Sequence, residues 1–142
     1  MKILEIYTDG SAKPNPGMGA WAYCAIIGKK PVKIRSELVR KATNNQMELQ
    51  AVIQALQFAK EEYPDHLIYI YTDSQYVERG INAWMPKWVS NGFNIKNRSR
   101  WKHLHNLSKE LTIQVQWIRG HNKNKWNEFV DKLCSEIKNE KQ

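Results

Sequence analysis

Four acidic side chains stand in settings that call for chemistry: Asp9, Glu48, Asp73 and Asp131. Asp9 and Asp73 sit in a short internal echo, Ile6-Tyr7-Thr8-Asp9-Gly10-Ser11 and Ile70-Tyr71-Thr72-Asp73-Ser74-Gln75. If two strands closing on Tyr-Thr-Asp lie parallel and adjacent, their aspartates emerge side by side at the carboxyl ends, where open α/β sheets bind ligands. Each also has a plainer use, since Asp-Gly makes turns and Asp before Ser caps helices. Glu48 shares a helix face with Val52 and Leu56, four and eight residues on. A carboxylate on that core side is costly to desolvate without a partner; its plainer role is capping near Asn45. Asp131 borders a stripe of Val130, Leu133, Cys134 and Ile137 and alone would read as a surface acid.

Carboxylates converging at one sheet edge repel unless a divalent cation neutralises them. Oxygen-only ligands select hard ions, Mg2+ or Mn2+ rather than Zn2+. Beside a cationic segment, such a centre suits phosphodiester hydrolysis, one metal activating water and the other stabilising the leaving oxygen. The chain has that segment. Its net charge is +8, and between Arg79 and Lys109 it carries seven Lys or Arg and no Asp or Glu, interleaved with Trp84, Trp88 and Trp101. Cations and flat rings suit phosphates and bases; the alternative is a solvated helical face whose tryptophans pack on the core.

The elements that must position these groups can be read in order. Residues 2–8 alternate and meet a turn at Asp9-Gly10, prolonged by Pro14-Asn15-Pro16-Gly17. Strands are expected at 20–27 and 32–39, joined around Gly28 as a hairpin. A helix follows from Thr43 to Glu62, with Thr43 and Gln46 spaced as a capping box. The apolar run at 67–72 predicts a buried strand. Short helices are expected after Ser74, at Ala83–Ser90 and at Arg98–Leu111, then a strand at 112–117 and a last helix at Lys125–Lys138. This order gives an α/β fold, a mixed sheet with helices on its faces.

The 142 residues fit one domain, residues 1–142. No apolar run reaches signal-peptide or membrane-span length, which argues against a membrane protein. Cys24 and Cys134 lie in apolar stretches without metal spacing and read as buried free thiols of a reducing, cytoplasmic compartment.

At four blocks the sequence resembles the type 1 ribonuclease H family: Tyr7-Thr8-Asp9-Gly10-Ser11 with Asn15-Pro16-Gly17; Thr43-Asn44-Asn45-Gln46-Met47-Glu48-Leu49; Thr72-Asp73-Ser74-Gln75-Tyr76-Val77; and Gly120-His121, Asn127-Glu128 with Asp131. The resemblance implies a ribonuclease H-like fold, a five-stranded mixed sheet with helices on both faces, strands 1 and 4 being parallel neighbours. It implies endonucleolytic hydrolysis of the RNA strand of RNA–DNA hybrids with two Mg2+ ions per active site, leaving 5′-phosphate and 3′-hydroxyl ends. Asp9, Glu48, Asp73 and Asp131 would be the metal-binding carboxylates, Asp9 bridging both ions, and His121 a proton carrier or product-release residue. Asn15, Asn44, Asn45 and Gln75 resemble the family's minor-groove contacts, where the 2′-hydroxyl distinguishes RNA. Trp84 and Trp88 resemble the lining of the DNA-strand channel, and Thr43 and Asn97 members of a DNA phosphate pocket. Lys41 stands where some relatives carry an arginine in that pocket, and the loop between Phe93 and Asn97 is shorter than in fuller members. The partner implied is a hybrid duplex, bound by a monomer. Two rivals remain: the nuclease domain of a reverse transcriptase or a resolvase, and a catalytically dead hybrid-binding module.

Overall fold

The computed structural model describes residues 2–120 and 124–141. Its strands are β1 (Ile3–Lys13), β2 (Gly17–Ile27), β3 (Lys30–Ala42), β4 (Leu67–Thr72) and β5 (Thr112–Trp117). Its helices are α1 (Asn44–Glu62), α2 (Gln75–Arg79), α3 (Met85–Ser90), α4 (Arg98–Ser108) and α5 (Lys125–Lys141). The strands form one sheet in the order β3-β2-β1-β4-β5, with β1–β2 and β2–β3 antiparallel and β1–β4 and β4–β5 parallel. The register pairs Tyr7 with Tyr71, so the two Tyr-Thr-Asp segments run level, as the echo requires.

Both faces of the sheet are covered. Along β2 the side chains alternate: Trp21, Tyr23 and Ala25 join the core under α1 and α4, whereas Ala20, Ala22, Cys24 and Ile26 pack with Val130 and Cys134 of α5. The small residues on the second face let α5 lie close. Both cysteines are buried and unpaired, and burial pushes the Cys24 thiol up to about 11, far from reactive thiolate character.

Three expectations need correction. β1 does not stop at Asp9-Gly10 but runs on to Lys13, pairing Asp9 with Ala22 and Gly10 with Trp21. Gly10 is there for close approach, because a Cβ at this position would lie 2.2 Å from the Met47 carbonyl carbon and 2.5 Å from the Glu48 nitrogen. The helix expected at Ala83–Ser90 instead belongs to a run beginning at Gln75; a wide turn over Gly80–Trp84 joins α2 to α3, the Met85 N–H reaching back to the Gly80 carbonyl. α4 ends at Ser108, three residues early, and the Lys109 N–H closes on the His105 carbonyl.

The capping box at the start of α1 forms as the sequence predicts: Gln46 N–H donates to Thr43 Oγ1 and Thr43 N–H to Gln46 Oε1, both at 3.1 Å. Such a cap contributes about 1 kcal/mol and fixes the first turn of the helix that carries Glu48.

Candidate active site

Three carboxylates meet where β1, β4 and the first turns of α1 come together. One oxygen from each of Asp9, Glu48 and Asp73 lies within 4.8 Å of the others. Asp9 is only 4% exposed. Asp9 Oδ2 and Glu48 Oε1 are buried and have no hydrogen-bond partner. Buried polar atoms are nearly always paired, so two orphans in one cluster are a missing-ligand signature. Burial first, and then the charge of Asp73 and Asp131, hold Asp9 well above the usual carboxylate range. Glu48 is raised in the same way, by burial and then by Asp9 and Asp73. The Gly10 N–H opposes both shifts, only in part.

Asp131 joins from α5. It lies within hydrogen-bonding reach of Asp9 and raises it, although it is not one of the three that converge within 4.8 Å. Asn124 sets the start of its helix, its Oδ1 accepting from the N–H groups of Trp126 and Asn127 at 3.1 and 3.0 Å. From the same helix the Cys134 thiol donates to the Asp9 carbonyl at 3.6 Å, tying α5 to β1.

Asp73 is placed by its neighbours. Ser74 caps α2 through Oγ, taking the Val77 N–H at 3.1 Å, and its own N–H donates to Thr72 Oγ1 at 3.0 Å. The indole N–H of Trp117 donates to the Asp73 carbonyl at 2.9 Å. That a strand-terminal indole would reach the neighbouring strand's aspartate has no local sequence signal. Gly120 lies against this carboxylate, where a Cβ would stand 2.9 Å from Asp73 Oδ2. His121, the expected proton carrier, lies outside the described residues.

The donor set fits hard divalent cations. It offers carboxylate oxygens only, two of them orphaned, in a region whose charges repel one another. Asp9, Glu48 and Asp73 would hold such ions, with Asp131 at the edge.

The expected substrate contacts fall into two groups. A cavity of about 410 Å3 is lined by Asn15, Pro16, Thr43, Asn44, Asn45, Tyr76, Lys96 and Asn97. Asn15 and Asn44 are partly committed to structure: Asn15 Oδ1 accepts the Asn44 N–H at 3.0 Å and Asn44 Oδ1 accepts the Ala12 N–H at 2.7 Å. Their carbonyl oxygens therefore stitch β1 and the turn after it to α1, and the amide N–H2 groups, with one lone pair on each oxygen, are left to offer a ligand. Gln75, at the start of α2, is exposed. Lys41 does not line the cavity; it is exposed at the end of β3, turned away from the buried Ala42 beside it. The cavity's cation is Lys96, which sequence reading passed over within the basic segment.

The tryptophans also divide. Trp84 is 41% exposed, Trp88 is half-buried and Trp101 is fully buried. The ring of Trp88 lies 5.9 Å from that of Trp84 and 4.8 Å from that of Trp101. Trp101 is thus a core residue, and the plainer reading of the aromatic segment holds for it; Trp84 and the outer face of Trp88 are left for a ligand.

Set against known proteins, residues 1–138 match the family described as RNase H. A ribonuclease H of Xanthomonas campestris is 40% identical over 140 residues, covering 94% of this chain and 91% of its own length. The crystal structure of an RNase H1 from the halophilic archaeon Halobacterium salinarum shares the fold at a TM-score of 0.76 and 24% identity, over 97% of this chain and 98% of that one. A foamy viral protease-reverse transcriptase, solved in complex with RNA/DNA hybrid, aligns at a TM-score of 0.86 and 24% identity, over 96% of this chain but 20% of that one.

Proposed function

This chain belongs to the ribonuclease H family, endonucleases of the RNA strand of RNA–DNA hybrids, and we propose that Asp9, Glu48, Asp73 and Asp131 carry that hydrolysis with two Mg2+ ions. The observation behind the assignment is the convergence of three carboxylates within 4.8 Å with two buried oxygens unpaired. When bound, the ions supply activation of water and stabilisation of the leaving oxygen. The chain's own residues do the rest. Asp9 lies two residues beyond the Tyr7–Tyr71 pair of the β1–β4 ladder, with Asp73 and Asp131 both acting on its charge, and would be the carboxylate shared between the ions. Glu48 is delivered by the cap of α1 and the absent side chain of Gly10.

Substrate choice falls to the rim. Asn45 and Gln75, with the free amide donors of Asn15 and Asn44, offer the donors and acceptors that read a 2′-hydroxyl. The cavity at Thr43, Lys96 and Asn97 takes a DNA-strand phosphate, and Trp84 with Trp88 lines the path of that strand. Lys41 is left as a peripheral cation. His121 is assigned the proton-transfer or product-release role on the strength of its Gly-His setting alone. No helix among the described residues is long and apolar enough to cross a membrane; buried free thiols suit a reducing, cytoplasmic setting, with the protein acting as a monomer.

The test is one labelled RNA–DNA duplex incubated with Mg2+ beside RNA–RNA and DNA–DNA duplexes of the same sequence. RNA-strand cleavage confined to the hybrid, with 5′-phosphate ends, is expected. Equal cutting of the all-DNA duplex would remove the assignment.

A further inference from the structure

Two hydrogen bonds end on a single oxygen at the wall of the amide-lined cavity. Trp101, fully buried, donates its indole N–H to the Tyr76 hydroxyl at 2.9 Å, and Asn97 donates its Nδ2–H to the same oxygen at 3.1 Å. A phenol oxygen accepts two hydrogen bonds and donates one. Both acceptor positions are therefore filled, and what the hydroxyl has left is its proton.

Tyr76 lines a cavity that offers this proton no anion. Beside Tyr76, the cavity is lined by Asn15, Asn44, Asn45, Asn97, Thr43, Lys96 and Pro16, with no carboxylate among them. The strong acceptor has to arrive with a ligand. The donor is also prepared: accepting two hydrogen bonds polarises an O–H and strengthens it as a donor. The ring is held edge-on against Trp101, centroids 5.5 Å apart at 62°. The same oxygen fixes Asn97, whose backbone sits in the left-handed region at φ 61° and ψ 33°, a conformation asparagine tolerates.

We propose that Tyr76 is a phosphate-binding residue, its hydroxyl donating to a non-bridging oxygen of a DNA-strand phosphate, with Trp101 as the buried positioning residue behind it. This rests on the reading of the cavity as a DNA-strand phosphate site. A DNA phosphate is favoured over a 2′-hydroxyl because a charged acceptor suits a lysine and a polarised donor together.

The experiment measures hybrid affinity in EDTA, so that nothing is cut, using duplexes with one uncharged methylphosphonate stepped along the DNA strand and a matching series on the RNA strand. Wild type should lose about tenfold in affinity at one DNA-strand step, as for a hydrogen bond to a charged group. Tyr76→Phe should bind the all-phosphate hybrid about tenfold more weakly and show a clearly smaller loss at that step, the remainder belonging to Lys96 and the other lining residues. Because Tyr76→Phe also orphans the buried Trp101 N–H, a second variant is needed. Tyr76→Phe with Trp101→Phe removes the orphan, at the cost of a void in the core, and should recover neither the affinity nor the methylphosphonate penalty. The proposal is overturned if Tyr76→Phe keeps the full penalty, if the double variant regains wild-type affinity, or if the penalty falls on the RNA strand. A wild type indifferent to every methylphosphonate, yet still cleaving hybrids with Mg2+, would overturn the proposal together with the cavity reading, leaving the nuclease assignment standing.

Discussion

The carboxylate centre and the rim that surrounds it are built on opposite principles. At the centre, Asp9 is buried and Glu48 half-buried; each carries a buried, unpaired oxygen and sits among like charges. On the rim, several polar groups are bonded to one another: Asn15 bonds Asn44, Asn44 bonds Ala12, and Asn97 and Trp101 bond Tyr76. The centre is held in an unfavourable state by the packing around it, and a bound cation would relieve that state. The rim is braced by its own bonds and would present the remaining donors to a ligand. Mutations should therefore separate cleanly, with those at the centre removing chemistry at little cost in stability and those on the rim trading affinity against packing.

The largest effect is expected of Asp9→Asn. It keeps the shape and one acceptor oxygen but removes the charge that would be shared between two ions, so hybrid cleavage should fall by roughly a thousandfold or more. Binding of uncleaved hybrid, read by gel shift, should be preserved. Loss of binding in step with cleavage would mean that centre and rim are not separable.

Gly10→Ala breaks the comparison from the packing side. A methyl would stand 2.2 Å from the backbone of Met47, so α1 must move and carry Glu48 with it. Overpacking of this kind costs about 1–3 kcal/mol, and displacement of a ligand by about 1 Å costs roughly a hundredfold in rate. A variant that melts lower yet cleaves at full rate would show that the placement of Glu48 is not critical.

On the rim, Trp84→Ala should weaken hybrid binding by about tenfold, within the range for loss of one stacked ring, with an unchanged melting temperature and an unchanged single-turnover rate at saturating enzyme. Trp88→Ala should lose affinity and stability together, because its ring also packs on buried Trp101. Equal stability losses in the two variants would erase the distinction between exposed and half-buried tryptophan.

The smallest effect is in the pH dependence of the metal-free protein. Asp9 and Glu48 are raised in the folded state, so above the ordinary carboxylate value, near pH 4, the native chain holds more protons than the unfolded one. Stability from these groups is therefore lost as pH rises from that value through their folded range. Metal-free melts over this range should slope more steeply downward for wild type than for Asp9→Asn, and Mg2+ should flatten the wild-type slope. Identical slopes without metal would mean that the crowding is relieved by something other than a cation.

Much of this was legible in the sequence because it is local or periodic. The Thr43–Gln46 box, the apolar run of β4 and the paired Tyr-Thr-Asp segments each carry their own signal, and together they place Asp9 beside Asp73. Glu48 could be suspected from its helix face alone. Contacts made across the fold were not legible. Asp9-Gly10 has the composition of a turn, and only the packing of α1 on β1 makes Gly10 a strand residue. Lys96 rather than Lys41 lines the cavity because strand alternation turns Lys41 outward. Trp117 and Tyr76 act through partners 44 and 25 residues away, a separation at which no sequence pattern survives.

The most direct test is a melting experiment on wild type and Asp9→Asn, each with and without Mg2+. Without metal, Asp9→Asn should melt at or above wild type, since one charge has left a crowded, buried cluster. With Mg2+, wild type should gain stability as the ions bind the folded state, and Asp9→Asn should gain little or none. An Asp9→Asn variant that melts well below wild type without metal, or that gains as much from Mg2+, would contradict the account, because Asp9 would then be a structural residue and the cluster not a cation site.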